Sequence, residues 1–182
     1  MSKEPQLYKF KDIENRLHTL EPGKSYIKPF VTSKVSNTMC GGLNFLNKVS
    51  VPWDLTCDEI IYCMEGTFRL TCDGKSYIKP FVTSKVSDTM CGGLNFLNKV
   101  SVPWDLTCDE IIYCMEGTFR LTCDGESYIC NPGDVLYIPK DNHIAYECDE
   151  KCVIFYAAYP HDWKQKAGIT FEPGIDPEDM PQ

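Results

Sequence analysis

From residue 109 the chain reads Asp109-Glu110-Ile111-Ile112-Tyr113-Cys114-Met115-Glu116-Gly117, and from residue 132 it reads Pro132-Gly133-Asp134-Val135-Leu136-Tyr137-Ile138-Pro139-Lys140-Asp141-Asn142-His143. Each stretch holds a short run of β-branched and aromatic residues bounded by Gly, Pro, Asp or Asn, which is the pattern of a strand between turns. Asp124-Gly125 lies between the two stretches and is a strong hairpin signal. Together they predict a chain built from short antiparallel strands.

The same pattern continues on both sides of these stretches. Strands are predicted at 25–31, 43–51, 59–64, 67–72, 127–130, 135–138, 144–147 and 153–158. Helical periodicity is scarce; the best candidate for a helix is 10–20, and 162–167 is a candidate for a short turn. Many short strands separated by turns predict an all-β sandwich or barrel.

The chain contains a near-perfect tandem repeat of 51 residues. Residues 24–74 (copy one) and residues 75–125 (copy two) differ at one position, where Asn37 in copy one corresponds to Asp88 in copy two. Old solenoid repeats diverge, so identity this high indicates a recent or an artificial duplication. The barrel has room for one copy. Two nearly identical copies therefore compete for the same place in the fold.

The repeat divides the chain into four segments. We expect an N-terminal segment over 1–23, the spare copy over 24–74, a barrel over 75–165 that uses copy two, and an extended tail over 166–182. Copy two is expected to complete the barrel because it connects directly to the C-terminal strands. Copy one is then expected to pack loosely, to pair with a sheet edge or to exchange with a second molecule.

Composition restricts the possible partners. The 182 residues carry 18 Lys and Arg against 26 Asp and Glu, a net charge of −8. Nucleic acid and anionic membranes both need a basic face, so neither is an expected partner. No apolar run reaches the length of a membrane span, and the N-terminus lacks the apolar stretch of a signal peptide. The 11 cysteines lie mostly in apolar runs, which favours a reduced, cytoplasmic protein.

The two opening stretches are similar to the two motifs of a cupin. Upstream of them stand Met90-Cys91-Gly92-Gly93-Leu94 and Pro103-Trp104-Asp105-Leu106-Thr107-Cys108-Asp109-Glu110, and downstream stands Tyr156-Ala157-Ala158-Tyr159-Pro160-His161-Asp162-Trp163. That order resembles the cupin domain of the EutQ family, the ethanolamine-utilisation proteins found with bacterial microcompartments. The resemblance covers roughly 82–163 together with copy one. The chain departs from the family in carrying the duplication and in lacking a long N-terminal region.

The resemblance implies a fold and an activity. The implied fold is a cupin-type jelly-roll β-barrel that carries a redundant duplicated β segment. The implied activity is acetate kinase-like phosphoryl transfer, with Mg and ATP or ADP as cofactors and microcompartment proteins as partners. Three alternatives stay open: this enzymatic role, a metal-less cupin that binds a small molecule or supports assembly without catalysis, and a metal-dependent isomerase or oxygenase.

The resemblance also bears on metal binding. The usual first cupin motif supplies two His and one Glu, and the second supplies another His. Aligned on Glu110, the two His positions of the first motif fall on Trp104 and Leu106, which cannot bind metal. Glu110 and His143 are therefore weak candidates, and no metal site is predicted.

The paired acids Asp109 and Glu110 are the candidate catalytic residues. Adjacent residues on a strand face opposite sides, and the motif turns Glu110, Ile112 and Cys114 inward. A carboxyl group buried in an apolar barrel has a raised pKa and can act as an acid, a base or a hydrogen-bond partner for a ligand. The alternative is a buried carboxylate that only fixes a neighbouring strand. Asp58 and Glu59 are the equivalents in copy one.

A small-molecule pocket is predicted inside the barrel. Its expected lining residues are Trp104, Ile112, Cys114, Tyr137, His143, Phe155 and Tyr159. A barrel lined by aromatic residues, thiols and one carboxyl group suits a small, partly apolar ligand. A homodimer, formed with or without domain swapping, is the expected assembly.

Overall fold

The computed structural model describes residues 4–14, 16–17, 25–72, 75–77, 87–162 and 166, with backbone alone for 16–17, 70–72 and 75–77. The predicted tail lies outside the described residues except for Lys166, and so does most of the predicted turn at 162–167. Within the described part of the chain, no helix is long and apolar enough to cross a membrane.

Twelve strands and one 3-10 turn make up the described fold. The strands are β1 Gln6–Tyr8, β2 Arg16–Leu17, β3 Ser25–Val31, β4 Gly41–Leu46, β5 Leu70–Cys72, β6 Lys75–Tyr77, β7 Cys91–Asp105, β8 Asp109–Glu116, β9 Phe119–Cys123, β10 Glu126–Cys130, β11 Val135–Ile138 and β12 His143–Tyr159. The 3-10 turn is Phe10–Asp12. The predicted all-β class is confirmed.

The largest sheet curls into a barrel, and β8 lies in its wall between β11 and β12. Its strand order is β1-β11-β8-β12-β9-β10, with β7 also pairing β12, and the pairings are antiparallel. Copy two therefore supplies β7, β8 and β9, and the unique C-terminal part supplies β10, β11 and β12. Gly117 makes the turn from β8 to β9 with a φ of 73°, where a side chain would overlap the Lys151 carbonyl oxygen.

The barrel interior is a mainly apolar core. Ile112 and Cys114 on β8 are fully buried there with Phe119 and Leu121 from β9. The alternation that turns these side chains inward leaves Ile111 and Tyr113 facing the opposite side of the sheet. That opposite side is covered by copy one.

The first half of copy one supplies β3 and β4 of a second, small sheet of order β2-β3-β4, and β2 comes from the N-terminal segment. Its Phe30, Val31 and Met39 pack against Ile111 and Tyr137 on the outer face of the barrel sheet. The junction between the copies is a separate two-stranded ladder in which β5 pairs with β6.

In the second half of copy one, the strand predicted at 59–64 is wrong. Residues 59–64 form no strand, although the identical residues 110–115 lie within β8. The reason is a lack of partners, because β11 and β12 occur once and both already pair with β8. An unpaired strand leaves its backbone polar groups to water, so this segment stays irregular and exposed.

Other predicted boundaries also need correction. The predicted strands 43–51 and 67–72 shorten to β4, which ends at Leu46, and β5, which begins at Leu70. The predicted strands 144–147 and 153–158 belong to one strand, β12, whose register shift between Cys148 and Lys151 absorbs the polar residues between them. The predicted helix 10–20 is wrong in its described part, where β2 follows the 3-10 turn. Sheet pairing outweighs the weak helical pattern there, since β2 pairs with β3.

Candidate functional site

Glu110 lies on β8 in the middle of the barrel sheet. Its backbone is paired on one side with Ile138 of β11 and on the other with Ala158 of β12. The residue is 8% exposed. Two flanking strands therefore fix the position of the carboxyl group, which is the kind of support a binding or catalytic group needs.

The side chain of Glu110 forms a buried pair with a tyrosine. Tyr146, from β12, donates its hydroxyl to Oε2 of Glu110 at 2.6 Å. Burial raises the pKa of Glu110 from 4.5 to about 7, although the bond from Tyr146 partly opposes that rise. Burial likewise raises the pKa of Tyr146 well above its ordinary value. The pair therefore offers a carboxyl group that gains and loses its proton near neutral pH.

The groups that neighbour this pair include a buried thiol and a phenol. Cys108 is buried, and desolvation raises the pKa of its thiol, with Glu110 and Cys91 adding to the effect. Burial also raises the pKa of Tyr156 to about 12. At neutral pH these groups are a thiol and a phenol, so they can hydrogen-bond a ligand, and the charge of Lys166 partly opposes the rise in the Cys108 pKa.

The described residues do not suit a magnesium site. Mg²⁺ prefers several oxygen ligands in octahedral geometry, and Glu110 is the one carboxyl group in this interior cluster. Across the residues that the structure describes, no group of three or more His, Cys, Asp or Glu side chains is placed to hold a metal ion. Glu110 and His143 also differ in exposure: Glu110 is buried in the barrel, whereas the side chain of His143 is 72% exposed.

Asp109 faces the opposite side of β8 and has a positioning role. Its Oδ1 accepts the backbone N–H of Lys140 at 2.9 Å, and its Oδ2 accepts the hydroxyl of Thr38 from copy one. The hydroxyl of Tyr137 lies within hydrogen-bonding reach of the same carboxylate. Asp109 therefore fastens the loop after β11 and the spare copy to β8.

The predicted pocket residues do not converge on one cavity. Ile112 and Cys114 belong to the barrel core, and Trp104 packs against it. Tyr137, Phe155 and Tyr159 belong to the second cluster, on the outer face beneath copy one. His143 is exposed, with its Nδ1 2.5 Å from Oδ1 of Asp105. The cause is strand alternation, since the predicted set mixed core-facing residues of β8 with residues of β11 and β12 that face the other side of the sheet.

The equivalents in copy one are not a second site. Glu59 is exposed and lies on no strand, so it has no counterpart of the Glu110–Tyr146 pair. Asp58 is also exposed and accepts hydrogen bonds from Ser87, at 3.2 Å, and from Thr89. Glu59 and Glu110 share a sequence context but not an environment.

Tyr146 is the functional residue that sequence reasoning missed. It lies within the predicted strand 144–147, where alternation places it on the same side of β12 as the buried Ile144, against the barrel core. The long β12 crosses both β9 and β7, which brings Tyr146 to Glu110, 36 residues away. The signal that could have indicated Tyr146 was its phenol hydroxyl on β12, a strand that pairs with the strand of Glu110.

Comparison with known families matches nearly the whole chain. The profile of the family described as "Ethanolamine utilisation protein EutQ" matches twice, over residues 7–80 and 75–165. This chain belongs to the EutQ family. The first match takes in the N-terminal segment and copy one, and the second takes in copy two and the C-terminal strands. The resemblance to the EutQ family is thereby confirmed.

Individual EutQ proteins match about half of the chain. "Acetate kinase EutQ" of Clostridioides difficile is 29% identical over 48% of this chain and 55% of its own length. "Acetate kinase EutQ" of Salmonella typhimurium is 31% identical over 46% of this chain and 36% of its own length. The solved structure of the Clostridium difficile EutQ protein is 28% identical, with a TM-score of 0.46 over 50% of this chain and 66% of that one. The chain thus spans about half or less of the length of these curated relatives.

Proposed function

We propose that this chain serves ethanolamine utilisation as a EutQ-type cupin whose barrel binds a small molecule at Glu110 and Tyr146. The observation that carries the proposal is the buried carboxyl–phenol pair, with its 2.6 Å hydrogen bond and a Glu110 pKa of about 7. Tyr146 is the one hydrogen-bond partner of the Glu110 side chain among the described residues.

The surroundings define the class of ligand. A protonated Glu110 donates a hydrogen bond to a carbonyl or carboxylate oxygen, whereas an ionised Glu110 accepts one from a hydroxyl or an amine. The apolar core around the pair, with Ile112 and Cys114 fully buried, favours a compact molecule with one polar end. Short acids, alcohols and amines of two or three carbons meet this description.

Acetate kinase activity is the second candidate, because the curated relatives carry that name. Phosphoryl transfer depends on cations around the transferring group. Lys9 is 2.6 Å from Asp134 and Arg120 is 2.9 Å from Glu147, so these two cations are already paired with carboxylates away from Glu110. Lys140, at the end of β11, is exposed. The barrel interior therefore supports ligand binding better than it supports phosphate chemistry.

One pair of measurements separates the two candidates. ATP formation from acetyl phosphate and ADP with Mg²⁺ is measured on the full chain, on Glu110→Gln and on the matched control Glu59→Gln. Binding of acetate and of ethanolamine is measured on the same three proteins by ligand-observed NMR. We expect binding of one of these probes by the full chain and by Glu59→Gln, and its loss in Glu110→Gln.

The outcomes are distinct. ATP formation that falls at least tenfold in Glu110→Gln alone would favour the kinase. Binding without turnover would support a small-molecule cupin. Equal binding by all three proteins would contradict the assignment of the site to Glu110. Microcompartment partners and a cytoplasmic location remain predictions alongside this proposal.

A further inference from the structure

A loop in copy one docks on copy two. Ser36 is 3% exposed, and its Oγ accepts the backbone N–H groups of Thr38 at 3.2 Å and of Met39 at 3.1 Å. This turn holds Thr38 so that its hydroxyl donates to Oδ2 of Asp109. A side-chain oxygen that caps the backbone two and three residues on is a rigid, local arrangement. The loop thus presents one hydroxyl to one carboxylate of the other copy.

The corresponding loop in copy two docks on copy one. The Oγ of Ser87 accepts the backbone N–H groups of Thr89 and Met90, each at 3.2 Å. Thr89 then donates its hydroxyl to Oδ2 of Asp58, and Ser87 Oγ lies 3.2 Å from the same oxygen. Every residue of this contact stands 51 positions from its counterpart in the first contact, with the copies interchanged.

Apolar contacts between the copies show the same reciprocal pattern. A Cβ placed on Gly41 would lie 3.1 Å from Cδ1 of Ile111, and a Cβ placed on Gly92 would lie 3.1 Å from Cδ1 of Ile60. Each glycine therefore permits a close approach between its own copy and the isoleucine of the other copy. Met39 and Met90 join one apolar cluster with Ile111 and Ile60.

Contacts of this kind define an isologous interface, in which residue i meets residue j and residue j meets residue i across a two-fold relation. We propose that the Ser-x-Thr loop and the Asp form a self-complementary subunit interface, and that copy one takes the place of the partner subunit within a single chain. The partner that fits this surface is a second EutQ-type cupin with the same loop and the same Asp. The homodimer expected from the sequence is, at this face, replaced by an intrachain pairing.

The proposal is tested by double-mutant cycles on the full chain. Thr38→Val is combined with Asp109→Asn, and Thr89→Val with Asp58→Asn, and folding equilibrium constants are measured in urea. We expect Thr38→Val to lower the folding constant roughly tenfold in the parent background and less than twofold in the Asp109→Asn background. The within-copy pairs, Thr38 with Asp58 and Thr89 with Asp109, are the matched controls and are expected to be additive.

Coupling within the copies, and not between them, would overturn the proposal. The Thr89–Asp58 cycle stands on its own if Asp109→Asn does not fold, because Asp58 is exposed and its substitution leaves the barrel core intact. Sedimentation equilibrium then assigns the contact to one chain or two. A mass of 20.8 kDa at all concentrations is expected, and a dimer that dissociates in Thr38→Val or Thr89→Val would place the contact between chains and contradict the intrachain pairing.

Discussion

The two copies of the repeat are nearly identical in sequence, but residues 59–64 and their counterparts 110–115 differ in structure and burial. Ile61 in copy one is 51% exposed, whereas Ile112, its counterpart in copy two, is fully buried. Cys63 is exposed and Cys114 is buried in the same way. Since the side chains are identical, the difference comes from the strands available to pair with each copy. Strand propensity is thus a property of a site within a sheet more than of a peptide.

Chain connectivity explains which copy enters the barrel. Copy two runs through the Asp124-Gly125 turn into β10 and through residues 131–134 into β11. Copy one reaches the same strands only across a further 51 residues. The entropy of loop closure grows slowly with length, so this preference is modest in free energy. The docking of β3 and β4 on the outer face of the barrel adds to it.

The largest expected effect contrasts the two isoleucines. Ile112→Ala leaves a cavity in the barrel core and is expected to lower the free energy of unfolding by about 2–5 kcal/mol. Ile61→Ala makes the same chemical change in exposed chain and is expected to stay within about 0.5 kcal/mol of the parent. Urea denaturation followed by tryptophan fluorescence measures both. Equal losses in the two variants would mean that the copies exchange places in the barrel.

A smaller effect is expected from pH. The folded protein holds a proton on Glu110 up to about pH 7, whereas the unfolded chain releases it near 4.5. This group's contribution to stability is therefore full below the unfolded pKa and is lost as pH rises through about 7. Relative to Glu110→Gln, the full chain is expected to lose about 3 kcal/mol between those pH values.

The control for the pH series is Glu59→Gln, which introduces the same amide in exposed chain. Its stability profile is expected to follow that of the parent. Denaturation series from pH 4.5 to 8 give all three profiles. A Glu110→Gln profile parallel to the parent's would show that the Glu110 carboxyl is not held protonated by the fold.

The smallest effect concerns the contact between the exposed segment and the barrel. The ring of Tyr62 stacks on Phe155 with centroids 5.4 Å apart and planes 28° apart. Tyr62→Ala is expected to cost about 1 kcal/mol, and to cost almost nothing in a Phe155→Leu background. Tyr113→Ala, at the counterpart position in β8, is expected to cost more because Tyr113 is the cross-strand neighbour of Phe155. A larger loss from Tyr62→Ala would reverse the roles of the copies.

The sequence predicts the barrel well because its strand signals are local. The runs around Ile112, Leu136 and Tyr128 carry their own turns, and all three become strands. The inward direction of Glu110 also follows from simple alternation. Residues 59–64 carry the same signals and fail to form a strand, because pairing partners are a property of the whole chain and are not written in the segment.

The candidate site is less predictable than the fold. Glu110 could be identified from its motif. Its pairing with Tyr146 could not, because it depends on how the 17-residue β12 bends across its neighbouring strands. The predicted pocket residues are separated for a related reason: Ile112 of β8 lies in the barrel core, whereas Tyr137 of the neighbouring β11 faces the other side of the sheet. Neither the register shift in β12 nor the side from which copy one covers the barrel can be read from residue types alone.

The single occurrence of β11 and β12 imposes a stoichiometric rule on any assembly of this chain. Each molecule has one vacancy, the place between β11 and β12, and two candidates to fill it, residues 58–65 and residues 109–116. Domain swapping redistributes the candidates among molecules, but n molecules always hold n vacancies and 2n candidates. One candidate per chain is therefore always in surplus, so no degree of self-association can saturate this pairing.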